Sequence, residues 1–360
     1  MRPDPSTIPP SGATAPPALT SVAERVDERL TEILDHELHR WRALDPVLAP
    51  PLEALRRLVL GGGKRLRPAF CHWAFVGAGG PADDPRVLDT GAALELLQAF
   101  ALVHDDVMDG SATRRGVPAI HTEFADRHRA AGWRGEARRF GDGVAILAGD
   151  VAHVYADRLM SGAVPDALAV WHELRIEVNV GQYLDIEATA RASVDLATAR
   201  RIARYKSGKY TIERPLEMGA ALAGRTDLAP ALERYGHPLG EAFQLRDDLL
   251  GAFGDADRTG KPVGDDLREG KPTPLLAIAH RRADAAQRRL LDQVGRADLD
   301  ADQIAELQDV LVATGARNAV TTEIADLTAT ALGALDAIEL VGGADAALRD
   351  LAVYVGSREW

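Results

Sequence analysis

Three aspartates stand within five positions, Asp105, Asp106 and Asp109, in the stretch LVHDDVMDGSATRRG. On a helix Asp105 and Asp109 lie one turn apart on one face, with Asp106 further round, so all three can address one hard cation cluster. Two unit charges 4 Å apart repel by roughly 1 kcal/mol in water and by ~4 at a surface-like dielectric, and a bound metal is the natural resolution. A lone acidic run is as readily a solvated helix end. Here, however, a second pair, Asp247 and Asp248 in FQLRDDLLG, repeats the arrangement later in the chain. Oxygen ligands favour Mg²⁺ or Mn²⁺ over zinc, and Mg²⁺ typically uses one or two carboxylates plus substrate phosphate. The expected ligand is a phosphorylated substrate bridging two Asp-rich walls.

Basic residues occur where phosphate would need them. GGGKRLRP offers Lys64, Arg65 and Arg67 beside Gly61 to Gly63, glycines that permit close backbone approach to an anion. The stretch is not a P-loop, since GxxxxGK[ST] is absent. Arg114 and Arg115 follow the first acidic cluster, Lys206 and Lys209 lie in YKSGKYT, and Lys261 and Lys271 flank GKPVGDDLREGK. Any one of these is more often a solvated surface charge, but five groups beside glycines or acidic clusters are harder to dismiss.

The elements that must position these groups are helices. From about residue 19 Ala, Leu, Glu and Arg dominate, apolar residues recur at three and four, and strand-like alternation is scarce, which predicts an all-α chain. Breaks fall near 77–85, 130–143, 223–230 and 254–274 without isolating a second domain. TGAALELLQAFALVHDDVMD and LERYGHPLGEAFQLRDDLLGAFGD are apolar around most of their circumference until they end in carboxylates, as expected of central bundle helices. Residues 1–18, rich in Pro, Ser and Ala, read as a disordered tail without a signal pattern, and 19–360 as a single all-helical domain.

With 42 basic against 54 acidic residues and a net charge of −12, the chain lacks a generally basic surface for nucleic acid. Its single cysteine, Cys71, excludes an internal disulfide and a multi-cysteine zinc site and suits the cytoplasm. No uninterrupted apolar stretch of ~18 residues suggests a transmembrane span.

Together, GGGKRLRP, LVHDDVMDGSATRRGVPAIH, GQYLDIEA, KSGKYT and FQLRDDLLGAFGDADRTGKPVGDDLREGK, spread over about residues 55–280, resemble the trans-isoprenyl diphosphate synthase (polyprenyl synthetase) family in order and spacing. The resemblance is strongest to bacterial geranylgeranyl and farnesyl diphosphate synthases. It implies an isoprenoid-synthase-type helical bundle around a deep apolar cavity. The implied reaction is a Mg²⁺-dependent head-to-tail condensation of an allylic diphosphate (dimethylallyl, geranyl or farnesyl) with isopentenyl diphosphate. It further implies three Mg²⁺ per site, Mn²⁺ as a substitute, and a homodimer.

Carried over by position, Asp105, Asp106 and Asp109 would bind Mg²⁺ on the allylic diphosphate, with Asp247 and Asp248 holding metal from the opposite wall. Lys64, Arg67, Gln98 and Arg115 would contact isopentenyl diphosphate, and Arg114 the allylic diphosphate. Lys206, Ser207, Gln244, Lys261 and Lys271 match the remaining diphosphate and carbocation contacts. Three positions depart from the family pattern: Gly251 stands where the second motif commonly has a third aspartate, Ser207 replaces a threonine, and Gln98 a histidine. Asp255 could substitute for the missing carboxylate if its helix continues.

Phe100 and Ala101, five and four positions before Asp105, correspond to the floor that limits chain growth, and one aromatic there suggests a C20 product rather than C15. On a helical wheel Ala101 lies ~40° from Asp105 and Phe100 ~140° away, so Phe100 reads equally as ordinary core. Two other readings compete: an inert subunit that tunes an active partner, and a class I terpene cyclase. The cyclase would not need GGGKRLRP for a second diphosphate.

Overall fold

The computed structural model describes residues 14–192, 195–254 and 263–358. They are helical almost throughout and divide into two interleaved compact units, one formed by Leu19–His72 and Pro81–Val164, the other by Trp73–Gly80 and the chain from Pro165 onward.

In the first unit the chain runs through α1 (Pro17–Leu44), α2 (Ala49–Leu60), most of its contribution to α3 (Leu66–Gly77), α4 (Pro85–Asp109), α5 (Ile120–Ala130) and α6 (Ala137–Met160). Helix α1 begins two residues before the expected boundary. Helix α4 starts with an Asp84 cap and Pro85 in its first turn, and Gly110, at φ 68°, closes it. Its buried residues include an unbroken run from Thr90 to Leu97, which wraps the whole circumference. It packs most extensively on α6, whose buried face is built from Gly141, Ala145, Ala148, Gly149, Ala152 and Ala156. Small residues are required there: a Cβ at Gly149 would lie 2.4 Å from the His104 ring of α4. By length and hydropathy α4 could also cross a membrane, but 61% of its most apolar window is buried inside the protein, as befits a core helix.

The only strands among the described residues form a two-residue antiparallel pair, β1 (Thr113–Arg114) with β2 (Val117–Pro118). Its turn places both Arg115 (φ 54°) and Gly116 (φ 75°) in the left-handed region, the backbone twist that a two-residue hairpin prefers. For arginine that conformation is strained, and such strain collects at functional sites.

The second unit contains α7 (Pro165–Ala190), α8 (Leu196–Ile202), a π-helix (Ala203–Glu213), α9 (Arg214–Leu222), α10 (Ala229–Phe253), the one-turn α11 (Asp265–Glu269), α12 (Pro274–Arg282), α13 (Ala285–Leu291), α14 (Ala301–Ala313), α15 (Ala316–Leu335) and α16 (Ala344–Ser357). Its core joins Leu245, Leu249 and Ala252 of α10 to Leu267 of α11, Leu275 and Ile278 of α12, Ile304 and Leu311 of α14, and Val320 and Ile324 of α15. Capping boxes, Asp284 with Gln287 and Asp300 with Gln303, start α13 and α14. Helix α10 stops at Phe253, and Gly254 is extended at ψ 151°. Asp255 and Lys261 themselves lie outside the described residues.

Candidate active site

The first acidic cluster closes α4 at its C-terminus, the negative end of the backbone dipole, where added carboxylates raise the demand for a cation, and the second lies within the last two turns of α10. At the end of α4 that demand is met by Arg114. The hairpin folds its guanidinium back so that Nε donates to Asp106 Oδ1 at 2.8 Å, Nη2 bonds the same oxygen, and Nη2 lies 3.5 Å from Asp105 Oδ2. Asp106 is buried, which pushes its carboxyl above the usual range; Arg114 opposes this and Asp105 adds to it. Asp105 and Asp109 flank it, half-buried.

The glycine-rich loop separates its three basic residues. Arg65, at φ 51° and only 3% exposed, is a structural strut rather than a phosphate ligand. It bonds Glu95 at 2.6 Å, Asp27 at 2.7 Å and the Val59 carbonyl at 2.6 Å. Burial opposes its charge, but the facing carboxylates prevail and hold its pKa above the ordinary value. Lys64 and Arg67 remain half-buried on either side of it. Arg115 reaches this loop and donates to the carbonyls of Leu58, at 3.0 Å, and Gly62. Its guanidinium is held below the ordinary arginine value, first by burial and then by Arg65, with Arg114 and Arg67 also contributing. Cations crowded in this way gain from an anion among them. Gln98, two turns before Asp105 on the same face of α4, is half-buried.

In the second unit Asp248, 3% exposed, accepts a 2.7 Å bond from Gln244 one turn earlier on α10. Its other oxygen, Oδ2, is buried without a hydrogen-bond partner among the described residues. Burial pushes its carboxyl well above the ordinary range, and the carboxylates of Asp266, Asp247 and Asp185 push the same way. Asp247 is bonded at 2.6 Å by Arg358, from the end of the C-terminal helix.

Lys206 donates to Asp185 Oδ2 at 2.5 Å. Three glycines make this geometry: a Cβ at Gly181 of α7 would lie 2.3 Å from the Lys206 nitrogen, and one at Gly240 of α10 2.9 Å from the Gly208 backbone. The π-helix that carries Lys206, Ser207 and Gly208 thus sits directly on its neighbours' backbones, as wide helical turns at functional sites often do. Ser207 is half-buried. Lys209 is turned elsewhere, pairing with Glu177 beside Arg214, and Lys271 bonds Glu269 at 2.6 Å. Phe100 faces α6, stacked on His153 at 4.8 Å and tilted against His104 at 4.6 Å, and Ala101 is half-buried.

Asp185, Asp266 and Arg358 were missed by sequence reasoning. Asp185 lies inside the quoted GQYLDIEA and Asp266 inside the quoted GKPVGDDLREGK.

A divalent cation fits these groups. Asp248 Oδ2 is an acceptor buried without a donor, and burying an anion without compensation is costly. Among the described residues no group of three or more His, Cys, Asp or Glu side chains forms a ready-made metal cage. That suits Mg²⁺, which keeps several waters and is bound through one or two carboxylates plus substrate phosphate.

The fold and these aspartate motifs define an all-helical protein of the isoprenoid-synthase type. The polyprenyl synthetase family model matches residues 51–311, and the chain belongs to that family of prenyltransferases. It is 40% identical, with a TM-score of 0.89 over 94% of this chain and 99% of the other, to a geranylgeranyl pyrophosphate synthase from Corynebacterium glutamicum solved with isoprenyl diphosphate and magnesium. A geranylgeranyl diphosphate synthase of Mycobacterium tuberculosis is 34% identical over 75% of this chain and 71% of its own length. A geranylfarnesyl diphosphate synthase of Aeropyrum pernix is 31% identical over 79% and 86%.

Proposed function

We propose that the protein condenses an allylic diphosphate with isopentenyl diphosphate, head to tail, to a short-chain all-trans prenyl diphosphate, with C20 geranylgeranyl diphosphate as the main product. The observation that carries the reading is that each Asp pair in the C-terminal part of its helix holds an arginine: Arg114 on Asp106 and Arg358 on Asp247. Each pair is therefore a cation site, and relatives of the chain are named as synthases of this class. They favour neither the cyclase nor the inert subunit.

Asp105, Asp106 and Asp109 hold Mg²⁺ on the allylic diphosphate, and Asp247 and Asp248 supply further carboxylates to metal. Bound Mg²⁺ neutralises charge developing on the departing diphosphate, and Mn²⁺ serves as a substitute. Arg114 contacts the same diphosphate, while Lys64, Arg67, Gln98 and Arg115 bind isopentenyl diphosphate; Lys206, Ser207, Gln244, Lys261 and Lys271 complete the contacts. The allylic C–O bond breaks, the isopentenyl double bond attacks the allylic carbon, and a proton passes to the released diphosphate. Apolar walls exclude the water that would quench the cation. Phe100 and Ala101 limit product length.

Three Mg²⁺ per site, a cytoplasmic location and a homodimer belong to the same reading. Exposed apolar faces on α6 (Leu147, Val154) and on α7 (Ile176, Val180, Tyr183) support self-association. The test is to supply farnesyl diphosphate and Mg²⁺ with and without isopentenyl diphosphate and to weigh the products. Elongation only with both substrates supports the proposal. Diphosphate release from farnesyl diphosphate alone, or no turnover of either mixture, overturns it.

A further inference from the structure

The loop from Gly61 to Arg65 joins α2 to α3, and its backbone passes through φ 99° at Gly62, 154° at Gly63 and 51° at Arg65. Glycine adopts such angles freely, but an arginine is strained there and keeps the conformation only where its surroundings over-determine it. At Arg65 they do. The side chain is 3% exposed, and its guanidinium is committed to three helices. Nε donates to Asp27 of α1 at 2.8 Å, Nη2 to the Val59 carbonyl of α2 at 2.6 Å, and Nη1 to Glu95 of α4 at 2.6 Å. We infer that Arg65 and Glu95 are positioning residues for isopentenyl diphosphate: their buried pair fixes the backbone from which Lys64 and Arg67 project. The inference rests on the prenyl-transfer reading and assigns to it two residues that act through the loop.

The mechanical link is short. Lys64 directly precedes Arg65, and Arg67 stands in the first turn of α3, which opens with a 3.1 Å bond from the Ala69 amide to the Arg65 carbonyl. Gly63 shows how closely the guanidinium is lodged: a Cβ there would stand 2.9 Å from Arg65 Nη1 and 3.2 Å from Arg115 Nη2, so two arginines close on one glycine. Burial and the Arg65 charge weigh against the Arg115 guanidinium, and Glu95 works in its favour. Glu95, 5% exposed, is thus the anion that lets both cations share the loop. On α4 it stands three positions before Gln98, so the same carboxylate ties the loop to the helix that carries another proposed contact. A buried ion pair is weak evidence for stability, because its desolvation offsets much of its attraction. The geometry of the loop is what this pair secures.

The experiment is a calorimetric titration of isopentenyl diphosphate into the full chain, with Mg²⁺ and inorganic diphosphate present to fill the acidic site, and a thermal melt of each variant. Arg65→Gly separates the two possible roles. It relieves the backbone strain while removing the side chain, so a loop shaped by its backbone alone would keep its affinity. Binding about tenfold weaker, the scale of one charge-assisted hydrogen bond, is expected in Arg65→Gly and in Glu95→Gln. Arg65→Lys, which keeps the charge and loses the fork, should fall between these and wild type. A role confined to stability would lower the melts and leave the dissociation constant of the folded protein unchanged. Wild-type affinity in folded Arg65→Gly or folded Glu95→Gln therefore overturns the inference. Should Arg65→Gly not fold, Glu95→Gln, which keeps the volume of the pair, decides. A wild type that binds no isopentenyl diphosphate overturns the prenyl-transfer reading and the inference with it, whereas wild-type binding with unmoved variants overturns the inference alone.

Discussion

Arg358 donates from Nη2 to Asp247 Oδ1 at 2.6 Å and to the Phe243 carbonyl at 3.0 Å, with its guanidinium 4.1 Å from the Phe243 ring centroid. At 1% exposure it is among the most buried side chains of the protein, although it follows the last helix. Arg246 makes a reciprocal bond to the Gly356 carbonyl, so the C-terminus is fastened to α10 at the second acidic motif. A C-terminal residue thereby orients a proposed metal ligand.

Arg358→Ala should therefore act on both stability and metal use. Removing one partner of a fully buried ion pair costs about 3–5 kcal/mol, and because Asp247 is 39% exposed we expect about 1–3 kcal/mol here. Denaturant melts should show this loss, and the Mg²⁺ concentration for half-maximal activity should rise. Arg358→Lys should recover part of both. Wild-type Mg²⁺ dependence in a folded Arg358→Ala variant would refute the orienting role.

The Glu177 cluster predicts a pH effect away from the metal. Burial works against the Glu177 charge, but Arg214 and Lys209 overcome it and leave its carboxyl below the ordinary 4.5. A carboxylate lowered on folding contributes stability that is fully present above its unfolded value and is lost as pH falls through the folded one. Glu177→Gln should thus cost about 3 kcal/mol at neutral pH, with the difference from wild type shrinking below pH ~4.5. Urea unfolding at several pH values measures it, and a constant difference would contradict the assignment.

Gly181→Ala should disturb Lys206 without touching any charge. The new methyl would meet the Lys206 nitrogen at 2.3 Å and its Cα at 2.6 Å, both backbone atoms that cannot rotate away. Overpacking of this kind costs about 1–3 kcal/mol. A matching fall in kcat is expected as Lys206 leaves Asp185. Unchanged kcat in a folded variant would remove the close approach from the catalytic account.

Phe100→Ala should lengthen the product if Phe100 is the floor of the chain-growth path. Its ring is stacked on His153, so His153→Ala should loosen the same floor and shift products the same way to a smaller extent. Mass analysis of the reaction products decides, and an unchanged distribution in Phe100→Ala would return this residue to ordinary core.

Much of this protein was legible without coordinates, because it is encoded locally. Helical periodicity, the two apolar helices ending in Asp105, Asp106, Asp109 and Asp247, Asp248, and the family motifs all depend on residues within a few turns of one another. Residue type alone did not separate Arg65 from Lys64 and Arg67. Arg65 is committed to Glu95 and Asp27, far along the chain, and nothing in GGGKRLRP reports that.

Tertiary structure alone decided the partners of these groups. Side-chain chemistry and the helical repeat determine which residues carry charge and which share a face; they do not determine what the next helix brings opposite. Arg114 on Asp106 depends on a hairpin with Arg115 at positive φ, Lys206 on Asp185 on glycine contacts between three helices, and Arg358 on Asp247 on the docking of the last helix. Gly251 is the plainest case. In the sequence it is a missing carboxylate, and only the packing of a one-turn helix against α10 brings the Asp266 side chain against it.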